Sequence, residues 1–132
     1  MLIKRTPETT TCCYQPLNEL VQQSLILFNQ QAFFACHELL EEAWLRAAGP
    51  CRQLYQGMLQ LSVAFYHIQQ KNSSGALKVL KRAQMKFVDL PDHCQGIDIA
   101  YLRSICQEFE AALQTFPHQK LPPFPTIIPE EI

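Results

Sequence analysis

The sequence predicts an all-α fold, a single-domain bundle of about five helices around a central buried helix. Three observations carry that expectation. The nine prolines crowd the two ends and leave Pro50 and Pro91 standing alone inside, so that blocks 17–49, 51–90 and 92–116 are free of them. Because an interior proline removes a donor and clashes with the preceding turn, those blocks are where helices can run. Within them apolar residues recur at three- and four-residue spacing, the period of a helix with one buried face. No segment shows the alternation of a half-buried strand, so no strand is expected.

The elements follow in order. A first helix over 17–29 carries Leu17, Leu20, Val21, Ser24, Leu25 and Phe28 at helical spacing and breaks near Asn29–Gln31. A second spans 31–47. Gly49-Pro50 then reads as a helix stop followed by a helix start. The third helix, 50–70, is apolar nearly all round: Leu54, Met58, Leu61, Phe65 and Ile68 cover one face, and Tyr55, Leu59, Val63 and Tyr66 another. A helix of that kind is central, and Gly57 and Ala64 mark a strip where a neighbour can come close. Asn72, Ser73 and Ser74 supply N-cap chemistry for a fourth helix over 74–89, with Lys78, Lys81 and Arg82 on its solvated face. A fifth covers 98–115. Residues 1–16 read as an N-terminal extension, 17–116 as the bundle, and 117–132 as a Pro-rich strap in which Phe124, Ile127 and Ile128 cover the core.

Composition narrows the class. At 132 residues, 48% hydrophobic and 17% charged with a net charge of −1, the chain has ample material for one core. Disorder and a dedicated nucleic-acid binder are excluded as starting points. No run of about 18 apolar residues suggests a membrane span. With no apolar leader either, a cytoplasmic location is expected. The six cysteines show no CxxC spacing and read as small buried hydrophobes plus a few free thiols; the role of the adjacent pair Cys12 and Cys13, reactive or metal-binding, stays open.

One polar constellation stands out. At 100° per residue His37 shares an inward stripe with Phe33, Leu40 and Trp44, and Glu41 lies at its edge. Glu42 and Arg46, four apart, make an exposed ion pair. The apolar third helix carries Gln56, Gln60 and His67 on one narrow stripe. Counted outward from the short turn of an antiparallel hairpin, His37 is level with Gln60 and Glu41 with Gln56. His67 lies about 10 Å further along the axis.

The residues Phe28-Asn29, Phe33-Phe34-x-x-His37-Glu38-x-x-Glu41-x-x-Trp44, Gln56-Gly57-x-x-Gln60-x-x-x-Ala64-x-x-His67 and Asn72-x-x-Gly75-Ala76 resemble the domain of unknown function 309 family over about residues 24–87. The resemblance implies an all-helical bundle of uncharacterised role, in a group labelled predicted metal-dependent hydrolase. The family pattern has Glu where Ala35 stands and Gly where Lys71 stands.

Three readings of the constellation follow. In the first, His37 and Glu41 hydrogen-bond to Gln60 and Gln56 and lock helix register around Trp44. In the second, His37, Glu41, Trp44, Gln56, Gln60 and His67 line a small-ligand cleft walled by Tyr55 and Tyr66. In the third, His37-Glu38-x-x-Glu41 acts like a zincin motif, His37 and Glu41 holding a divalent metal such as zinc and Glu38 serving as general base. Catalytic zinc takes three protein ligands, so no metal or other cofactor is expected, and the hydrolase stands as the alternative. Self-association is compatible with the low charge, with no stoichiometry specified.

Overall fold

A computed structural model describes residues 12–115 and 120–130. The expected N-terminal extension as far as Thr11, and the junction 116–119, lie outside the described residues. Among the described residues five helices follow one another: α1 (Glu19–Asn29), α2 (Phe33–Arg46), α3 (Gly49–Gln69), α4 (Ser73–Phe87) and α5 (Ile99–Gln114). Each begins and ends within two residues of its expected bounds. The chain is an all-α bundle.

The capping chemistry explains the boundaries. Asn18 Oδ1 accepts from Leu20 N at 2.8 Å to start α1, Asn72 Oδ1 from Gly75 N at 3.0 Å to start α4, and Asp98 Oδ1 from Tyr101 N at 2.9 Å to start α5. Each supplies an acceptor to an amide that the helix leaves unpaired. α3 begins on Gly49, whose φ of +67 is left-handed, with Pro50 directly behind it. Lys71, just beyond the end of α3, has φ 59, a conformation that costs a side chain energy and glycine none.

α3 is the centre, packed by α2 on one side and α4 on the other, while α1 covers α2 and α5 covers α4. The α2–α3 pair is antiparallel. Near the turn Arg52 Nε donates to Trp44 O at 3.3 Å, and at the far end the rings of Phe33 and Phe65 lie 5.3 Å apart, as do those of Phe34 and Tyr66. These pairs bracket the turn almost evenly, the register expected by counting outward from it. Gly57 faces α4: a Cβ there would lie 2.6 Å from Phe87 Cε1.

Phe28, Phe33, Phe65 and Phe109 join α1, α2, α3 and α5 through ring contacts of 4.8–5.8 Å. Phe124, on the extended segment 120–130, closes this aromatic core against Phe33 (4.9 Å), Phe65 (5.1 Å) and Phe109 (6.1 Å, stacked). Ile127 is buried beside it. Asn29 clasps both backbone groups of Ile127, its Oδ1 accepting from Ile127 N at 2.7 Å and its Nδ2 donating to Ile127 O at 3.0 Å.

Two expectations are corrected. A two-residue hairpin, β1 (His93–Cys94) with β2 (Ile97–Asp98), pairs antiparallel between α4 and α5. Its turn residues Gln95 and Gly96 both have positive φ, 52 and 79, the geometry of a tight hairpin. A strand pair this short has no room for the alternation that betrays a strand. Second, four of the six cysteines are paired, Cys12 with Cys51 and Cys13 with Cys94. The reading of free thiols holds for Cys36 and Cys106, which are buried. Sequence spacing could not show the pairing, because it joins residues 39 and 81 apart that only the folded bundle brings together.

Candidate functional site

The second helix positions the residue on which the three readings depend. His37 keeps 20% of its side chain exposed, so its ring is inward as the stripe requires. Its Nδ1 lies 2.5 Å from Phe34 O, one turn back. A carbonyl only accepts, so Nδ1 donates to it. The ring also packs edge-on against Phe34 at 4.8 Å. Glu41 Oε2 is 4.0 Å from His37 Nε2, and its side chain is 53% exposed; Glu38 is exposed on the neighbouring side.

Among the described residues no hydrogen bond joins Gln60, Gln56, Trp44 or His67 to His37. Gln60 is half-buried with its Oε1 shielded from water and without a hydrogen-bond partner among the described residues, and the Trp44 Nε1 is in the same condition. The expected hydrogen bond of His37 to Gln60 is thus replaced by one within α2. Trp44 instead stacks under the Arg52 guanidinium, 4.7 Å from the ring centre, a cation–π contact that also ties the turn. Gln56 is half-buried on α3. His67 sits at the α3–α4 corner, where the Asn72 amide donates to its Nδ1 at 3.3 Å. The ion pair of Glu42 with Arg46 is formed at 2.5 Å on the surface.

As a metal centre the set is incomplete. Among the described residues no three His, Cys, Asp or Glu side chains gather in a way that would hold an ion. His37 and Glu41 offer two donors, one short of what catalytic zinc takes, and Glu38 points elsewhere. Among the described residues three cavities lie away from this seam. The largest of them, 590 Å³, runs between α1 and the extended segment and is bounded by Leu25, Ile26 and Ile128; one of 400 Å³ opens between α4 and α5; one of 190 Å³ adjoins Cys12 and Cys51. None of the three is lined by His37 or Gln60.

Sequence reasoning missed a polar hub around Gln95. Its buried side chain accepts from Tyr55 OH at 2.7 Å and donates to Cys12 O at 3.2 Å, while its backbone N donates to Cys13 O at 2.6 Å. Burial raises the Tyr55 hydroxyl above its ordinary pKa, and the Gln95 hydrogen bond pulls it partly back. Next door, Glu130 N donates to Gly96 O at 2.8 Å. The hairpin thereby joins the N-terminal turn, α3 and the extended segment. Glutamine before glycine was the available signal, and a weak one.

The arrangement has relatives. The family model described as Domain of unknown function (DUF309) matches residues 21–79, from α1 into α4. An uncharacterised protein of Aquifex aeolicus (strain VF5) is 26% identical over 91 residues, covering 68% of this chain and 27% of that protein. Uncharacterised protein YpuF of Bacillus subtilis (strain 168) is 41% identical over 49 residues, covering 36% of this chain and 28% of its own length. The chain thus spans about a quarter of the length of the curated relatives it matches. Among solved structures, a conserved hypothetical protein of Thermus thermophilus superimposes with a TM-score of 0.60 at 26% identity, over 71% of this chain and 95% of that one. The motif blocks on α1 to α4 fall within residues 21–79, the stretch that is similar to the domain of unknown function 309.

Proposed function

We propose that the chain is a non-catalytic helical binding module, in which the His37 seam serves stability and the outer helix faces meet a protein partner. The observation that supports it is the divergence of the chemistry-bearing groups. His37 spends Nδ1 on its own helix, Glu38 faces solvent, and His67 is held at the far corner by Asn72. Large apolar side chains meanwhile stand exposed on α2 and at the C-terminal end of α4: Phe34 at 51%, Leu45 at 64%, Met85 at 71% and, at the C-cap, Val88 at 65%. Exposed apolar groups gathered on helix faces mark contact surfaces more often than chance scatter does.

A small-ligand reading of the seam is favoured by the unpartnered Gln60 Oε1 and Trp44 Nε1, which would welcome a polar guest or water. The metal-dependent hydrolase would need a third donor beside His37 and Glu41. Among the described residues no helix is long and apolar enough to cross a membrane. The cytoplasmic location expected from the sequence is at odds with the two disulfides, since such bonds persist in oxidising compartments.

The test is calorimetric melting of the native protein and of His37→Ala, each with excess EDTA and with added zinc. Neither additive should move the native melting temperature, and His37→Ala should cost about 1–2 kcal/mol through lost packing. A zinc-induced rise that disappears in His37→Ala would reverse the choice in favour of the hydrolase.

A further inference from the structure

The two faces with exposed apolar residues are complementary to each other. On α2, Phe34, Glu38 and Glu41 fall at i, i+4 and i+7, all exposed and on one stripe. On α4, Met85, Lys81 and Lys78 fall at i, i−4 and i−7, likewise all exposed and on one stripe. The two stripes therefore run apolar–charge–charge with the same spacing in opposite directions. Laid antiparallel, Phe34 meets Met85, Glu38 meets Lys81, and Glu41 meets Lys78, each step matching because both helices rise about 1.5 Å per residue.

The charge is also sorted by helix. α4 carries Lys78, Lys81, Arg82 and Lys86 and no acid within Ser73–Phe87. α2 carries Glu38, Glu41 and Glu42, and its single Arg46 is already engaged by Glu42, off this stripe. Beside Met85 lies the 400 Å³ groove between α4 and α5, with Lys81, Val88 and Arg103 among its lining. Its polar rim is occupied internally: Gln84 donates to Cys106 O and Glu110, and Arg103 to Phe87 O, Leu90 O and Asp92. What is left facing outward is Met85 and Val88 beside Lys81 and Gln107, apolar surface next to a positive charge that can receive Phe34 with Glu38 behind it.

We infer that α2 of one copy docks antiparallel on α4 of a second copy, seating Phe34 against Met85 in the α4–α5 groove. The inference rests on the reading of the protein as a binding module and names the partner as the chain itself. Made reciprocally about a two-fold axis, α2 on α4 and α4 on α2, the contact closes into an isologous dimer; made once per pair it is heterologous and closes into a ring or extends into a chain. Exposed ion pairs add little energy individually; here the charges set register and direction, and the buried ring supplies the adhesion.

Sedimentation equilibrium over a concentration series tests it. The native protein should exceed the 15.2 kDa of one chain and shift toward monomer as salt is raised, because screening shortens to about 3 Å at 1 M ionic strength. Glu38→Lys with Glu41→Lys, and separately Lys78→Glu with Lys81→Glu, should each raise the dissociation constant about 10- to 100-fold. The chain carrying all four changes should recover association, and circular dichroism melts should confirm that each variant folds. A native protein that stays monomeric throughout overturns the inference. So does an oligomer indifferent to either reversal, or one that the four-fold exchange does not restore. A monomer with unchanged response to metal and to His37→Ala would sink this contact alone and leave the proposed module to other partners.

Discussion

Phe124→Ala is the substitution whose consequence the structure states most directly. The ring closes the aromatic core from outside the helices, within 4.9 Å of Phe33, 5.1 Å of Phe65 and 6.1 Å of Phe109. A fully buried phenylalanine costs about 3–5 kcal/mol on truncation. Phe124 is only partly buried, which lowers the transfer contribution, while its three aromatic neighbours add contacts beyond area alone. We expect about 2–3 kcal/mol. For a chain of this size each kcal/mol moves the melting temperature by about 3–5 °C, so the variant should melt about 6–15 °C lower. Ile128→Ala, four residues on and 74% exposed, is the control and should change stability by less than about 0.5 kcal/mol. Circular dichroism melts of the three proteins decide the matter. If Phe124→Ala melts within about 2 °C of the native protein, the closing ring contributes nothing and the reasoning from packing fails.

Gly57→Ala should destabilise although alanine is the better helix former by about 1 kcal/mol, because its Cβ would come 2.6 Å from Phe87 Cε1 in a fully buried position; overpacking costs about 1–3 kcal/mol, and a rise in denaturation midpoint would contradict the close α3–α4 approach. Burial pushes the Cys36 and Cys106 thiols up to about 12 from 9.0, with Ser62 and Ser24 pulling Cys36 partly back and Glu110 adding to Cys106. Between those values the unfolded chain has released the thiol proton and the folded chain still holds it, so stability is intact below pH 9 and falls as pH rises, by up to about 1.4 kcal/mol per pH unit for each thiol. Urea titrations on either side of that onset should show this decline, shallower in Cys106→Ala; a flat profile would mean the thiols ionise as freely inside as outside.

Much of the bundle was legible in the residues. Helix positions follow from where proline is absent, and the start of α4 from Asn72, since caps and breakers act over three or four residues and need no tertiary information. The register of α2 on α3 was legible too, because Ala47 and Ala48 leave too short a link for anything but an antiparallel return. The candidate site was legible only in outline. The inward turn of His37 follows from helical periodicity, whereas its partner does not: Phe34 O, one turn back on the same helix, meets Nδ1 before Gln60 can, and rotamer choice is a matter of what packs around the ring.

By itself, then, the sequence determined the class of fold, the number of helices and the centrality of α3, all of which rest on local spacing. Tertiary structure alone decided which distant groups meet. The pairing of Cys12 with Cys51 and of Cys13 with Cys94, the hub that Gln95 makes with Tyr55 and the N-terminal turn, and the clasp of Asn29 on Ile127 join residues from 39 to 98 positions apart. Local propensity carries no record of such contacts. They form because burying one shared apolar core brings the turn at residues 12–15 and the segment 120–130 onto the helices, and polar groups trapped there are stable when they find a partner.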